Sequence, residues 1–88
     1  MEIIILDGNR MTSRDRAYEY INKTMRFPEY AGKNLDALHD CLSELSGDVI
    51  IIIQNVGAML ENLDKYAEKM LNVFRITAEE AGYTFIEK

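Results

Sequence analysis

Three carboxylates, Asp36, Asp40 and Glu44, recur at intervals of four residues. On an α-helix that spacing stacks them along one face, where like charges repel by about 0.2–0.5 kcal/mol per pair. Asp36 has a local reason to be there, because the first turn of a helix favours an anion. Asp40 has none. The residues three and four positions away from it are Asp36, Ala37, Ser43 and Glu44, and none of these is basic. The plain interpretation is a solvated helix face, since charge runs usually serve solubility. The functional one is a docking face for cations, because arginine forks match carboxylates in bidentate geometry and such pairs strengthen when desolvated.

Other chemistry around these acids is weaker. His39 is the only histidine, and with Asp36, its neighbour Asp40 and Ser43 close by on the helix an Asp-His-Ser triad can be drawn. However, adjacent helical positions diverge by about 100°, and no glycine-rich nucleophile elbow accompanies them. A solvent-side histidine at an interface rim is expected instead. Cys41 is expected half-buried and inert, because a reactive thiolate needs a nearby cation and this segment offers acids. Calcium wants six or more oxygens converging from a flexible loop, which a straight helix face does not supply. Gly8 and Gly57 read as turn glycines without a phosphate-loop pattern. Tyr18, Tyr20 and Tyr66 read as helical core-edge residues. No catalytic residue, metal or cofactor is expected.

The elements that must position these residues follow from patterning. Glu2–Leu6 is a continuous apolar run ended by Asp7-Gly8-Asn9. Asp48–Gln54 repeats it, with Val49, Ile50, Ile51, Ile52 and Ile53 all β-branched. Such runs suit strands covered on both faces. Tyr83–Glu87 is a shorter third strand. Thr12-x-x-Asp15 reads as a capping box, followed by Ala17, Ile21 and Met25 at helical spacing, and Phe27-Pro28 ends that helix. Asn34 is the expected N-cap of a second helix with a Leu35, Leu38, Leu42 and Leu45 stripe, closed by Ser46-Gly47. A short helical piece near Val56–Leu60 precedes a longer helix with Leu63, Ala67, Met70, Phe74 and Ala78 on one side. Gly82 is its natural C′ residue. Helices between apolar strands imply parallel pairing with crossovers. The expected fold is α/β, a small three-stranded parallel sheet packed with about four helices, as one domain over 1–88. Strand order is not readable.

Composition narrows the function classes. The chain has 88 residues, 48% hydrophobic and 28% charged, with net charge −5 and one cysteine. That is ordinary globular composition. The run Val49–Ile53 is far too short to span a bilayer, and the N-terminus has no signal-peptide pattern. A lone Cys41 closes no intramolecular disulfide. A cytoplasmic protein without membrane contact is expected. The acid excess argues against direct nucleic-acid binding and permits an acidic face that meets a basic partner.

The segment Phe27–Leu42, FPEYAGKNLDALHDCL, resembles the barstar family of intracellular ribonuclease inhibitors. The shared features are Pro-Glu-Tyr, the glycine, Asn-Leu-Asp-Ala-Leu and Asp-Cys-Leu. Val73-Phe74-Arg75, the Gly82 before the last strand and the overall length also fit. The family fold, a three-stranded parallel sheet with helices, agrees with the patterning.

The resemblance implies a protein, not an enzyme, that plugs the active site of a basic, barnase-like ribonuclease with its second helix and the loop before it. Asp40 matches the aspartate that occupies the enzyme's phosphate position, and Asp36 matches one that pairs with an arginine. Tyr30 matches the tyrosine that packs on the catalytic histidine. Asn34 and Leu35 match edge contacts, and Ser43 stands where the family has threonine. The carboxylates thereby imitate RNA phosphate. The expected partner-binding set is Tyr30, Asn34, Leu35, Asp36, His39, Asp40, Ser43 and Glu44, on a chain that is monomeric when free.

The sequence departs from the family at several positions. His39 replaces a tryptophan. Glu44 and Leu45 replace a glycine and a second tryptophan. A late-helix glutamate falls near Ile76 or Thr77, neither acidic, and Glu79 and Glu80 lie one turn beyond it. Tyr83 replaces a second cysteine. These differences motivate an alternative, a barstar-like module that binds a basic partner other than a ribonuclease.

Overall fold

Strands β1 (Glu2–Asp7), β2 (Val49–Gln54) and β3 (Thr84–Glu87) form one parallel sheet in the order β1-β2-β3. The computed structural model describes every residue from Met1 to Lys88. Four helices separate the strands: α1 (Arg14–Met25) and α2 (Leu35–Leu42) between β1 and β2, α3 (Val56–Leu63) and α4 (Lys65–Ala81) between β2 and β3. The architecture is therefore the expected α/β fold with a three-stranded parallel sheet. No helix is long and apolar enough to cross a membrane.

One face of the sheet carries the core. Ile4 and Leu6 lie opposite Ile51 and Ile53, and Ile51 lies opposite Phe85. These residues join Tyr18 and Ile21 of α1, Leu38 and Leu42 of α2, Met59 of α3, and Met70, Leu71 and Phe74 of α4 in a single apolar cluster. The other face is formed by Ile3, Ile50 and Thr84 in one row and Ile5, Ile52 and Ile86 in the next. It carries no covering layer: Ile3 is 59% exposed and Ile5 49%. This corrects the expectation of strands covered on both sides. The uniform β-branched run reports a preference for the pleated backbone, not burial of both faces.

Three boundaries also differ from the patterning. The α1 cap is Ser13, whose hydroxyl accepts from the Arg16 amide at 3.2 Å, not Thr12. Helix α2 ends at Ser43 instead of running to Ser46-Gly47. The amides of Glu44 and Leu45 turn back to the Cys41 and Leu42 carbonyls at 3.3 and 3.1 Å, tightening and stopping the last turn. The third helix extends to Leu63, and Asp64, at φ 54°, breaks it from α4. Leu63 thus belongs to α3 and not to the long stripe. Gly82 does end α4 in the left-handed region, at φ 89°, donating its amide to Ala78.

Close approach decides one glycine. A Cβ at Gly8 would fall 2.2 Å from the Asn55 carbonyl oxygen. The same junction is tied by Asp7 Oδ1, which accepts from the Asn9 amide and from Asn55 Nδ2 at 2.9 Å each. Those two bonds, the Asn55 one first, hold the Asp7 carboxyl below its usual range.

Candidate functional site

The segment that precedes α2 begins where α1 is forced to stop. Arg26 adopts φ 60° and its amide returns to the Asn22 and Lys23 carbonyls, while the Phe27 amide bonds Asn22 at 2.9 Å. Pro28 then excludes further helix. Phe27 packs on the core edge, and a turn closes by an Ala31 amide to Pro28 carbonyl bond of 2.9 Å. This leaves Tyr30, between them, 89% exposed. Lys33, at the end of the loop, is engaged by Glu19 at 3.2 Å.

Helix α2 starts where expected. Asn34 has extended backbone, φ −151°, and its Oδ1 accepts the Ala37 amide at 2.8 Å. With Leu38 and Leu42 enclosed and Leu35 against the core, the rotation of the helix is set by burial. The polar face must then point outward. Asp36 and Asp40 are both exposed, and the Asp40 side chain is 87% so. Neither is paired with a lysine or arginine, since the ion pairs of those residues are Lys33–Glu19 and Arg75–Glu87. Glu44 is exposed too, but it lies in the turn beyond the Ser43 cap, not on the helix itself.

His39 is half-exposed and bridges two helices. Its Nε2 lies 3.0 Å from Glu80 Oε1 of α4, and its Nδ1 lies 3.4 Å from Ser43 Oγ and 4.0 Å from Asp40 Oδ1. The Ser43 hydroxyl donates to the His39 carbonyl at 2.7 Å, so its oxygen can only accept from Nδ1. Both ring contacts are made together only when both ring nitrogens carry hydrogen. The Ser43 hydrogen therefore serves the helix end and is not directed at the imidazole as in an activated nucleophile.

Sequence reasoning did not place Glu80 in this group. It sits 41 residues from His39, and only packing of α2 on α4 brings it there. The end of α4 is held by Tyr83, whose buried hydroxyl donates to the Phe74 carbonyl at 2.6 Å and touches Thr77 Oγ1. Arg75 and Glu87 add a two-pronged pair at 2.7 and 2.6 Å between α4 and β3. The residues at the expected late-helix glutamate position are Ile76, exposed, and Thr77, enclosed.

Taken together, Tyr30, Asp36, Asp40 and Glu44 present side chains to solvent, while Asn34 and Leu35 serve the helix start and core edge. The carboxylates do not gather with His39 or Cys41 into a group able to hold a metal ion. Cys41 is half-buried, and burial first, then the Glu44 and Asp40 charges, push its thiol up. Such a surface can receive a cationic counterpart by charge and by one open aromatic ring.

A family model described as Barstar (barnase inhibitor) matches residues 1–87. A Bacillus subtilis (strain 168) protein named "Putative ribonuclease inhibitor YrdF" is 31% identical over 81 residues, covering 91% of this chain and 89% of that protein.

Proposed function

This chain belongs to the Barstar (barnase inhibitor) family, and from that premise we propose that it inhibits a basic, barnase-like ribonuclease by seating α2 and the loop before it in the enzyme's active site. In this reading Asp40 takes the place of an RNA phosphate among the enzyme's cations. Asp36 pairs beside it, and Tyr30 packs on the catalytic centre. Asn34, Leu35, His39, Ser43 and Glu44 complete the contact surface. The protein performs no chemistry, uses no cofactor, acts in the cytoplasm and is monomeric when free.

The observation that supports this most is the exposure of Asp36 and Asp40 without any lysine or arginine partner. Two aligned like charges destabilise a free helix slightly, and a basic cleft relieves that. Electrostatic complementarity of this kind acts mainly on association rate and register. The test is titration of the purified chain into the assay of a basic microbial ribonuclease at low and moderate salt. One-to-one inhibition is expected, with an association rate that falls as salt rises. Absence of both inhibition and a complex across a panel of basic ribonucleases would overturn the reading.

A second reading has a specific motive. His39, Glu44 and Leu45 stand where the family carries tryptophan, glycine and tryptophan. Aromatic anchors commonly dominate interface energy, so their loss fits a basic partner that is not a ribonuclease. An Asp40-dependent, salt-sensitive complex with a basic protein devoid of nuclease activity would favour this version.

A further inference from the structure

The chain is acidic, yet half of its ten lysines and arginines fall between residues 10 and 26: Arg10, Arg14, Arg16, Lys23 and Arg26. Three of them line one concavity of ≈360 Å³, together with Thr12, Glu19 and Tyr20. Arg16, Tyr20 and Lys23 follow one another along a single face of α1, and Arg10 and Thr12 arrive from the turn that joins β1 to it. This lies on α1 and its approach, not on the acidic face of α2.

The cations there are arranged, and they are unspent. Tyr20 is fixed by accepting the Asp7 amide on its hydroxyl at 2.8 Å. The Arg10 guanidinium stands 5.1 Å from the centre of the Tyr20 ring, which holds one arginine over the concavity. None of Arg10, Arg16 and Lys23 makes an ion pair, and the one lining carboxylate, Glu19, is already drawn off by Lys33 at 3.2 Å. The hollow thus gathers three cations around one lining carboxylate that Lys33 already engages, and Asp7 is the other acid that feels Arg10.

We infer that this concavity is a binding site for a small phosphorylated anion carrying two phosphoryl groups, of nucleoside diphosphate size. Two arginine forks, a lysine point charge and a hydroxyl suit phosphate oxygens. Arg16 and Lys23 are separated by about 10 Å along the helix axis, more than one phosphate spans. The volume lies at the small end of the ~300–1,000 Å³ common for ligand sites. Its lining is polar, which excludes an apolar ligand.

The test is a backbone amide chemical-shift titration of the whole chain with adenosine diphosphate and, separately, with inorganic pyrophosphate at low salt. Saturable shifts confined to Thr12, Arg16, Tyr20 and Lys23 are expected at submillimolar ligand. Arg16→Gln should weaken binding by about tenfold or more, as expected for loss of one charge-assisted contact, with unchanged melting temperature. Lys69→Gln, on α4, should bind as the parent does. Tighter binding of the nucleotide than of pyrophosphate would add a contact of the base; equal binding would assign recognition to the phosphates alone. Shifts that do not saturate, affinity unaltered in Arg16→Gln, or response to a single-stranded RNA but to neither small anion would each overturn the site.

Discussion

The Nε2 atom of His39 lies 3.0 Å from Oε1 of Glu80, joining α2 to the last turns of α4. The contact extends the negative surface of α2 onto a second helix and holds the imidazole between carboxylates. Exposed ion pairs contribute little to stability, typically about 0–1 kcal/mol. Glu80→Gln should therefore leave the melting temperature nearly unchanged and slow association with a basic partner, read by stopped-flow at low salt. A large loss of thermal stability would mark the pair as structural instead.

Asp40→Ala tests the docking reading most directly. Truncating one member of a desolvated interfacial charge pair costs about 2–5 kcal/mol or more. The variant should lose affinity on that scale in calorimetry. Its unfolding free energy should stay level or rise by a few tenths of a kcal/mol, because the Asp36–Asp40 repulsion is removed. Unaltered affinity for the cognate partner would remove Asp40 from the interface.

The Arg75–Glu87 pair has a defined pH signature. Bonding by Arg75 holds the Glu87 carboxyl below its ordinary value of 4.5. A carboxyl depressed in the folded state adds stability above its unfolded value, and that contribution is lost as pH falls through the folded one. Glu87→Gln should thus melt below the parent at neutral pH, and the gap should close on acidification below about 4.5. A gap that persists at low pH would assign the loss to packing.

Two glycines should respond in opposite directions. Gly8→Ala pushes a methyl into the Asn55 carbonyl, and overpacking of this kind costs about 1–3 kcal/mol. Gly57 lies within α3 with open space where a Cβ would stand, so Gly57→Ala should stabilise by about 0.5–1 kcal/mol. Urea unfolding of both variants decides it, and a neutral Gly8→Ala would mean the β1 and β2 ends separate freely.

Much of the fold was legible because local signals and burial agree. The Asn34 cap, the Leu38 and Leu42 stripe and the Gly82 stop are each set by residues within one or two turns. The outward direction of Asp36 and Asp40 follows from the same stripe. Non-local features were not legible. Strand order depends on how crossovers close, and Glu80 reaches His39 only through α2 packing on α4. Asp64, a single residue at positive φ, breaks α3 from α4 after Leu63, whereas the apolar pattern puts that break before Leu63. The isoleucines of β1 and β2 misled on coverage, since β-branched side chains favour strands whether or not a second layer lies above them.

That open side has a thermodynamic meaning. With helices on one side alone, the fold is a two-layer sandwich whose interior is one side chain deep on either side of its midplane. Leu6, Ile51 and Ile53 have no second shelter to fall back on if the helices shift. Trimming any of them should therefore be felt across the whole molecule as a single cooperative loss, without a surviving subdomain.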